Sequence, residues 1–218
     1  MTPPKSPRIR LLPLLLEAFF VVLGVALAFA VNEWREHRNQ TQHASMALET
    51  IRSELAVNQE AIEDVLTYHL QLADTLHSLT NRNAQSEAPI YPDIRLFTKG
   101  YVAPATLRST AWEAANATDA VTYMDYNDVL LLSGIYAQQH RYEYQAQQSG
   151  QLIYTKLFNE GHVGMQRNFA NLNTIITAFW YEECVLLNQY QQAKTQLMQG
   201  QEPASDVMPD ACQRVLRR

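Results

Sequence analysis

The chain has 218 residues, 47% of them hydrophobic, with 17 Lys and Arg against 22 Asp and Glu, a length that suits one domain or at most two. Lys5, Arg8 and Arg10 precede the first apolar run and Glu17 lies inside it. Residues 32 to 218 are therefore left with 14 positive and 21 negative side chains, a net of −7. An acidic body without a basic stripe argues against nucleic acid as a partner, because phosphate contacts need clustered Lys and Arg.

From Leu11 to Val31 the sequence runs 21 residues with one charge, Glu17, and one proline, Pro13. As a helix rising about 1.5 Å per residue it reaches about 31 Å, the thickness of a bilayer's hydrocarbon core. The competing reading is a cleaved secretory signal, since the basic leader and Ala28-Phe29-Ala30 fit that pattern. Signal cores are shorter, roughly 7 to 15 residues. Here the helical pattern also continues without a break through Val31, Asn32, Glu33, Trp34, Arg35 and Glu36, so an uncleaved anchor is expected. Three basic residues stand before the span, whereas Arg35 and Arg38 after it are offset by Glu33 and Glu36. The positive-inside rule then places residues 1–10 in the cytoplasm, 11–31 in the membrane and everything beyond outside.

An ionisable residue within a membrane span is a functional hypothesis by default. Glu17, Val21, Gly24 and Ala28 share one helix face, and their small-xxx-small spacing lets another helix approach closely. The alternative is that Glu17 snorkels to the headgroups or is protonated. Contact through this face implies the lipid bilayer as one partner and a second copy or another membrane protein as the other.

No Gly or Pro occurs between Gly24 and Pro89, so nothing prevents the membrane helix from continuing as a stalk. Leu48, Ile51, Leu55, Asn58, Ile62, Val65, His69, Leu72, Leu76 and Leu79 follow a 3-4 spacing, interrupted by the polar Asn58 and His69. Such a seam belongs either to a coiled coil or to the core face of a bundle, and the matching faces later in the chain favour the bundle. Asn81 to Ala105 reads as a long connection with a short helical turn from Asp93 to Thr98, and Thr106 to Asn116 as a short helix. Asp125 stands as the N-cap of a helix from Tyr126 to about Phe158, with Leu131, Ile135, Tyr142, Ala146, Ile153 and Leu157 on its apolar face. Gly161 and Gly164 bracket a turn. The last helix is expected from Met165 to about Met198, with Leu172, Ile175, Phe179, Leu186, Tyr190, Ala193 and Leu197 on one side. The predicted fold is all-α: an N-terminal transmembrane helix continuing into a long stalk, with an antiparallel helical bundle over residues 32–200 and a tail at 201–218.

Chemistry-bearing patterns are sparse. Bundle metal sites use paired Glu-x-x-His motifs, which this chain lacks; the nearest approach, a single Asp74-x-x-His77, reads as a solvated pair, so neither a metal nor another cofactor is expected. No nucleophile elbow, phosphate loop or Cys-x-x-Cys appears, and no enzyme is expected. Cys184 and Cys212 both fall in the exported part, where a disulfide can persist; the alternative is two separate thiols. Aromatic residues concentrate in the second half, where His140, Tyr142, Trp180 and Glu182 mark a candidate ligand pocket, against the plainer reading of core packing.

The segment Glu17 to Glu36, with its acid seven residues before Gly24 and the exit Asn32-Glu33-Trp34, resembles the anchor of a family of bacterial single-pass membrane proteins of unknown function. The stretch Ser109-Thr110-Ala111-Trp112-Glu113-Ala114-Ala115 is similar to that family's second short motif. The resemblance implies a bacterial inner-membrane protein with a helical periplasmic domain, and implies no activity. Two functional readings follow. One is a non-enzymatic scaffold or accessory protein acting by self-association or partner binding. The other is a periplasmic small-ligand sensor working through a membrane partner.

Overall fold

A chain free of glycine and proline from Val25 to Ala88 offers the helical ladder no place to break, and Leu11–Asn83 form one α-helix of 73 residues, α1. At about 1.5 Å per residue it is about 110 Å long. The computed structural model describes residues 11–197 and 209–216; the expected cytoplasmic leader at 1–10 and the segment 198–208 lie outside the described residues. The helices that follow α1 pack on its second half or on one another. Asn83 closes α1 by pairing its side-chain amide with both the N–H and the C=O of Ile90, each at 2.7 Å, which folds the connection back.

Asp93 starts a 3-10 turn over Ile94–Leu96, accepting from the backbone N–H of Arg95. Its carboxyl is held at about 2 by the Arg95 side-chain and backbone hydrogen bonds. The short helix α2 spans Thr110–Ala117, starting four residues later than the sequence suggests and ending one residue later. Asp125 caps α3, Tyr126–Arg167, by accepting from the N–H of Asn127. Helix α4 covers Phe169–Leu197, and α5, Asp210–Leu216, packs on α4. Part of the segment read as a tail is therefore helical. All regular elements among the described residues are helical.

The join between α3 and α4 differs from the sequence reading. Gly161 takes φ 61° and ψ −165°, a kink rather than an end, and helix resumes through Gly164 to Arg167. The chain turns at Asn168, whose side-chain amide donates to the carbonyl of Gly164 and whose backbone N–H reaches the carbonyls of Gly164 and Met165. Asn168 is a C-cap with a self-supplied hydrogen bond, so no glycine is needed there.

The seam on α1 is the core. Ile51, Asn58, Ile62, His69, Leu72 and Leu76 are fully or almost fully buried, with Leu55 and Val65 close behind and Leu48 and Leu79 half-buried. From α3 come Leu132, Ile135 and Tyr142; from α4 come Leu172, Ile176, Phe179, Leu186, Tyr190, Ala193 and Leu197. Leu131 and Ile175 are only half-buried, each displaced by its neighbour, Leu132 and Ile176. Arg52 donates to the carbonyl of Leu197 while His69 meets Glu183, so α4 runs antiparallel to α1. Gln196 meets Asp128 and Tyr190 meets Gln139, so α3 is antiparallel to α4 and parallel to α1.

Candidate functional site

The N-terminal part of α1 is long and apolar enough to cross a membrane. Every side chain from Leu15 to Asn39 is exposed, Phe29 at 70%, so no described residue covers this surface. Glu17, Val21, Gly24 and Ala28 lie within it, all exposed, and a Cβ placed at Gly24 would meet nothing within 4 Å. The face is open to a partner helix along its whole length. Just beyond it, the Arg38 guanidinium lies 5.7 Å from the Trp34 ring centroid, an exposed cation–π pair at the exit of the apolar run.

Inside the bundle, the two polar interruptions of the α1 seam have specific partners. Asn58 pairs with both backbone groups of Arg108, at 2.8 Å each, pinning the segment that enters α2. His69 Nδ1 lies 2.8 and 3.1 Å from the two oxygens of Glu183, and both side chains are fully buried. The Tyr142 hydroxyl donates to Glu183 at 2.9 Å and accepts from the Ala105 N–H at 2.8 Å. Burial first, and then the Glu183 charge, push the Tyr142 hydroxyl far above its ordinary range, which keeps it a donor. His69 Nε2 has no hydrogen-bond partner among the described residues. With the proton on Nδ1 facing the carboxylate, only a lone pair is left bare, which is cheaper than burying an unpaired N–H.

A second carboxylate from α1 positions α2. Glu54 accepts from the Ala111 N–H at 2.8 Å and from the Tyr136 hydroxyl at 2.7 Å. It places negative charge at the helix N-terminus, where unpaired N–H groups attract it. Ser109, the N-cap residue, instead donates its hydroxyl to Glu113 at 2.6 Å, and Trp112 stacks on Tyr136 with centroids 5.3 Å apart. The Ser109–Ala115 stretch thus docks α2 onto α1 and α3. Sequence reasoning passed over Glu54 and Glu183. Glu183 continues the alternating 3-4 spacing of Phe179, Leu186 and Tyr190, and an acid on such a seam is the signal for a buried partner.

The four residues proposed as a ligand pocket do not converge. Tyr142 is sealed in the core, His140 faces solvent, and Trp180 and Glu182 are half-buried on α4, with Glu182 accepting from Gln138. An open groove of about 870 Å³ lies between α1 and α4, lined by Leu48, Arg52, Leu55, Tyr190, Ala193 and Leu197 among others. Asp74 and His77 are exposed on α1, and no cluster of metal-ligating side chains occurs among the described residues. Cys184 and Cys212 are both buried and joined in a disulfide that ties α5 to α4. No protein-family model, curated protein or solved structure matches the chain.

Proposed function

We propose that this protein is a membrane-anchored, non-enzymatic component of a bacterial envelope that works by self-association or by binding another membrane protein. The observation that carries the reading is the unbroken α1. One helix presents an uncovered apolar surface with an acid and two small residues on one face, and the same helix then forms the spine of the bundle. Any contact made through the membrane face is thereby fixed rigidly to the exported body. The short basic leader and the Glu17–Glu36 and Ser109–Ala115 resemblances support an inner membrane and a cytoplasmic N-terminus, and the Cys184–Cys212 bridge supports an oxidising compartment for the bundle.

The test compares association of full-length variants in membranes. A carboxyl group beside close-packed small residues can make a hydrogen bond across the interface, worth about 1 kcal/mol. Glu17→Ala should therefore weaken association several-fold without preventing insertion. Gly24→Leu should weaken it more, by holding the two backbones apart. Leu23→Ala, on another face, should have little effect. Wild-type association in both face variants would refute the interface. The α1–α4 groove favours a second reading, a small-ligand sensor, because its volume falls within the roughly 300–1,000 Å³ of ligand sites. A thermal-shift screen that found reproducible stabilisation by a small molecule would favour that reading over the scaffold.

A further inference from the structure

The outer face of α3 carries a second seam that the bundle does not use. Starting at Tyr126 and stepping alternately by four and three residues, ten positions lead to Phe158, among them Leu130, Tyr144 and Tyr154. All ten are exposed, Phe158 at 92%, and none is Asp, Glu, Lys or Arg. The spacing averages 3.5 residues, the repeat at which one helix tracks another. The seam stops just before the kink at Gly161.

We infer that α3 pairs, parallel and in register, with α3 of a second copy in the same membrane. This deepens the self-association proposed above and rests on that reading's anchored topology. Three considerations select the occupant. First, residues 32–218 carry a net of −7, so two copies repel except where the approaching surfaces are uncharged, and this stripe is such a surface. Second, the flanking positions set no like charges against each other. On α3 itself charge there is confined to Arg141 on one side and Glu143 on the other; in a parallel pair Glu143 faces the partner's Gln148, and Arg141 falls at the level of Tyr136, which is buried in its own bundle. Third, α3 runs in the same direction as α1, so copies anchored with one orientation present their seams as parallel helices at matching heights.

The area explains why the membrane matters. A strip of 33 residues is about 50 Å long and about 10 Å wide, or about 500 Å² per copy and about 1,000 Å² in the pair. That is at the lower bound for a specific interface, below the roughly 1,200–2,000 Å² of stable complexes in solution. Anchoring raises the effective concentration and makes so small an interface sufficient.

The experiment uses the full chain in its native membrane, with Tyr126→Cys, Tyr144→Cys and Phe158→Cys introduced one at a time and mild oxidation by copper phenanthroline. Cys184 and Cys212 are buried and already bonded, so the introduced thiol is the one available for cross-linking among the described residues. Each variant should give several-fold more covalent dimer than Thr174→Cys, on an exposed position of α4. Adding Tyr144→Glu and Tyr154→Glu should suppress the dimer formed by Tyr126→Cys. Absence of dimer from all three variants would overturn the inference, as would cross-linking between Tyr126→Cys and Phe158→Cys chains, the antiparallel outcome. Seam cross-links that survive Gly24→Leu would support the α3 pairing independently of the membrane face. A Gly24→Cys chain that cross-links while the seam variants do not would overturn the α3 pairing and leave self-association in the membrane standing.

Discussion

Glu183 is fully buried and takes its known hydrogen bonds from His69 and Tyr142. Removing a donor from a buried carboxyl group leaves an acceptor unsatisfied, a loss of about 1–3 kcal/mol and more when that acceptor is charged. His69→Leu, close in volume, should therefore lower stability by about 1–3 kcal/mol or more, read from denaturant midpoints of the detergent-solubilised chain. The double variant His69→Leu with Glu183→Leu should cost clearly less than the two single variants added together. Additivity within about 0.5 kcal/mol would show that the pair is not coupled. Asn58 and His69 were visible in the sequence as polar breaks in an apolar seam, and their roles as register pins follow from that pattern. Their partners were less visible: Arg108 contributes only backbone groups, and Glu183 looks like any helical acid until its 3-4 spacing with Phe179 and Leu186 is noticed.

At the level of elements, Gly161 and Gly134 sit in one helix and should respond oppositely to the same substitution. Gly161 has φ 61° and ψ −165°, a region that essentially only glycine occupies, and a Cβ there would meet nothing within 4 Å. The penalty of Gly161→Ala is then purely one of backbone conformation, about 1–3 kcal/mol of destabilisation. Gly134 is within the regular helix with equally open surroundings, so Gly134→Ala should stabilise by about 0.5–1 kcal/mol. Thermal melts of the two variants side by side check the prediction, and equal shifts would contradict it. The glycine signal itself was misread as a turn. A glycine kink and a helix end look alike in sequence, and the real end at Asn168 depends on a side-chain bond to Gly164 that no breaker residue announces. The Asp125 cap and the Asp93 turn were legible because each is an Asp whose carboxylate serves backbone N–H groups within two residues.

For the molecule as a whole, the absence of breakers from Val25 to Ala88 was the most informative stretch, since it joins a bilayer-length apolar run to the bundle's main seam in one element. The ligand pocket failed at this scale because aromatic residues close in sequence point to opposite sides of a helix: His140 and Tyr142 are two residues apart, one exposed and one sealed. The central claim is that an uncleaved anchor holds the bundle outside the cytoplasm. Labelling of spheroplasts with a membrane-impermeant maleimide tests it most directly, using full-length chains with Asp74→Cys, exposed on α1, or Thr2→Cys. The account predicts that Asp74→Cys is labelled in intact spheroplasts and that Thr2→Cys is retained in the mature chain but labelled only after permeabilisation. Protection of Asp74→Cys until lysis, or loss of Thr2→Cys from the mature chain, would contradict it.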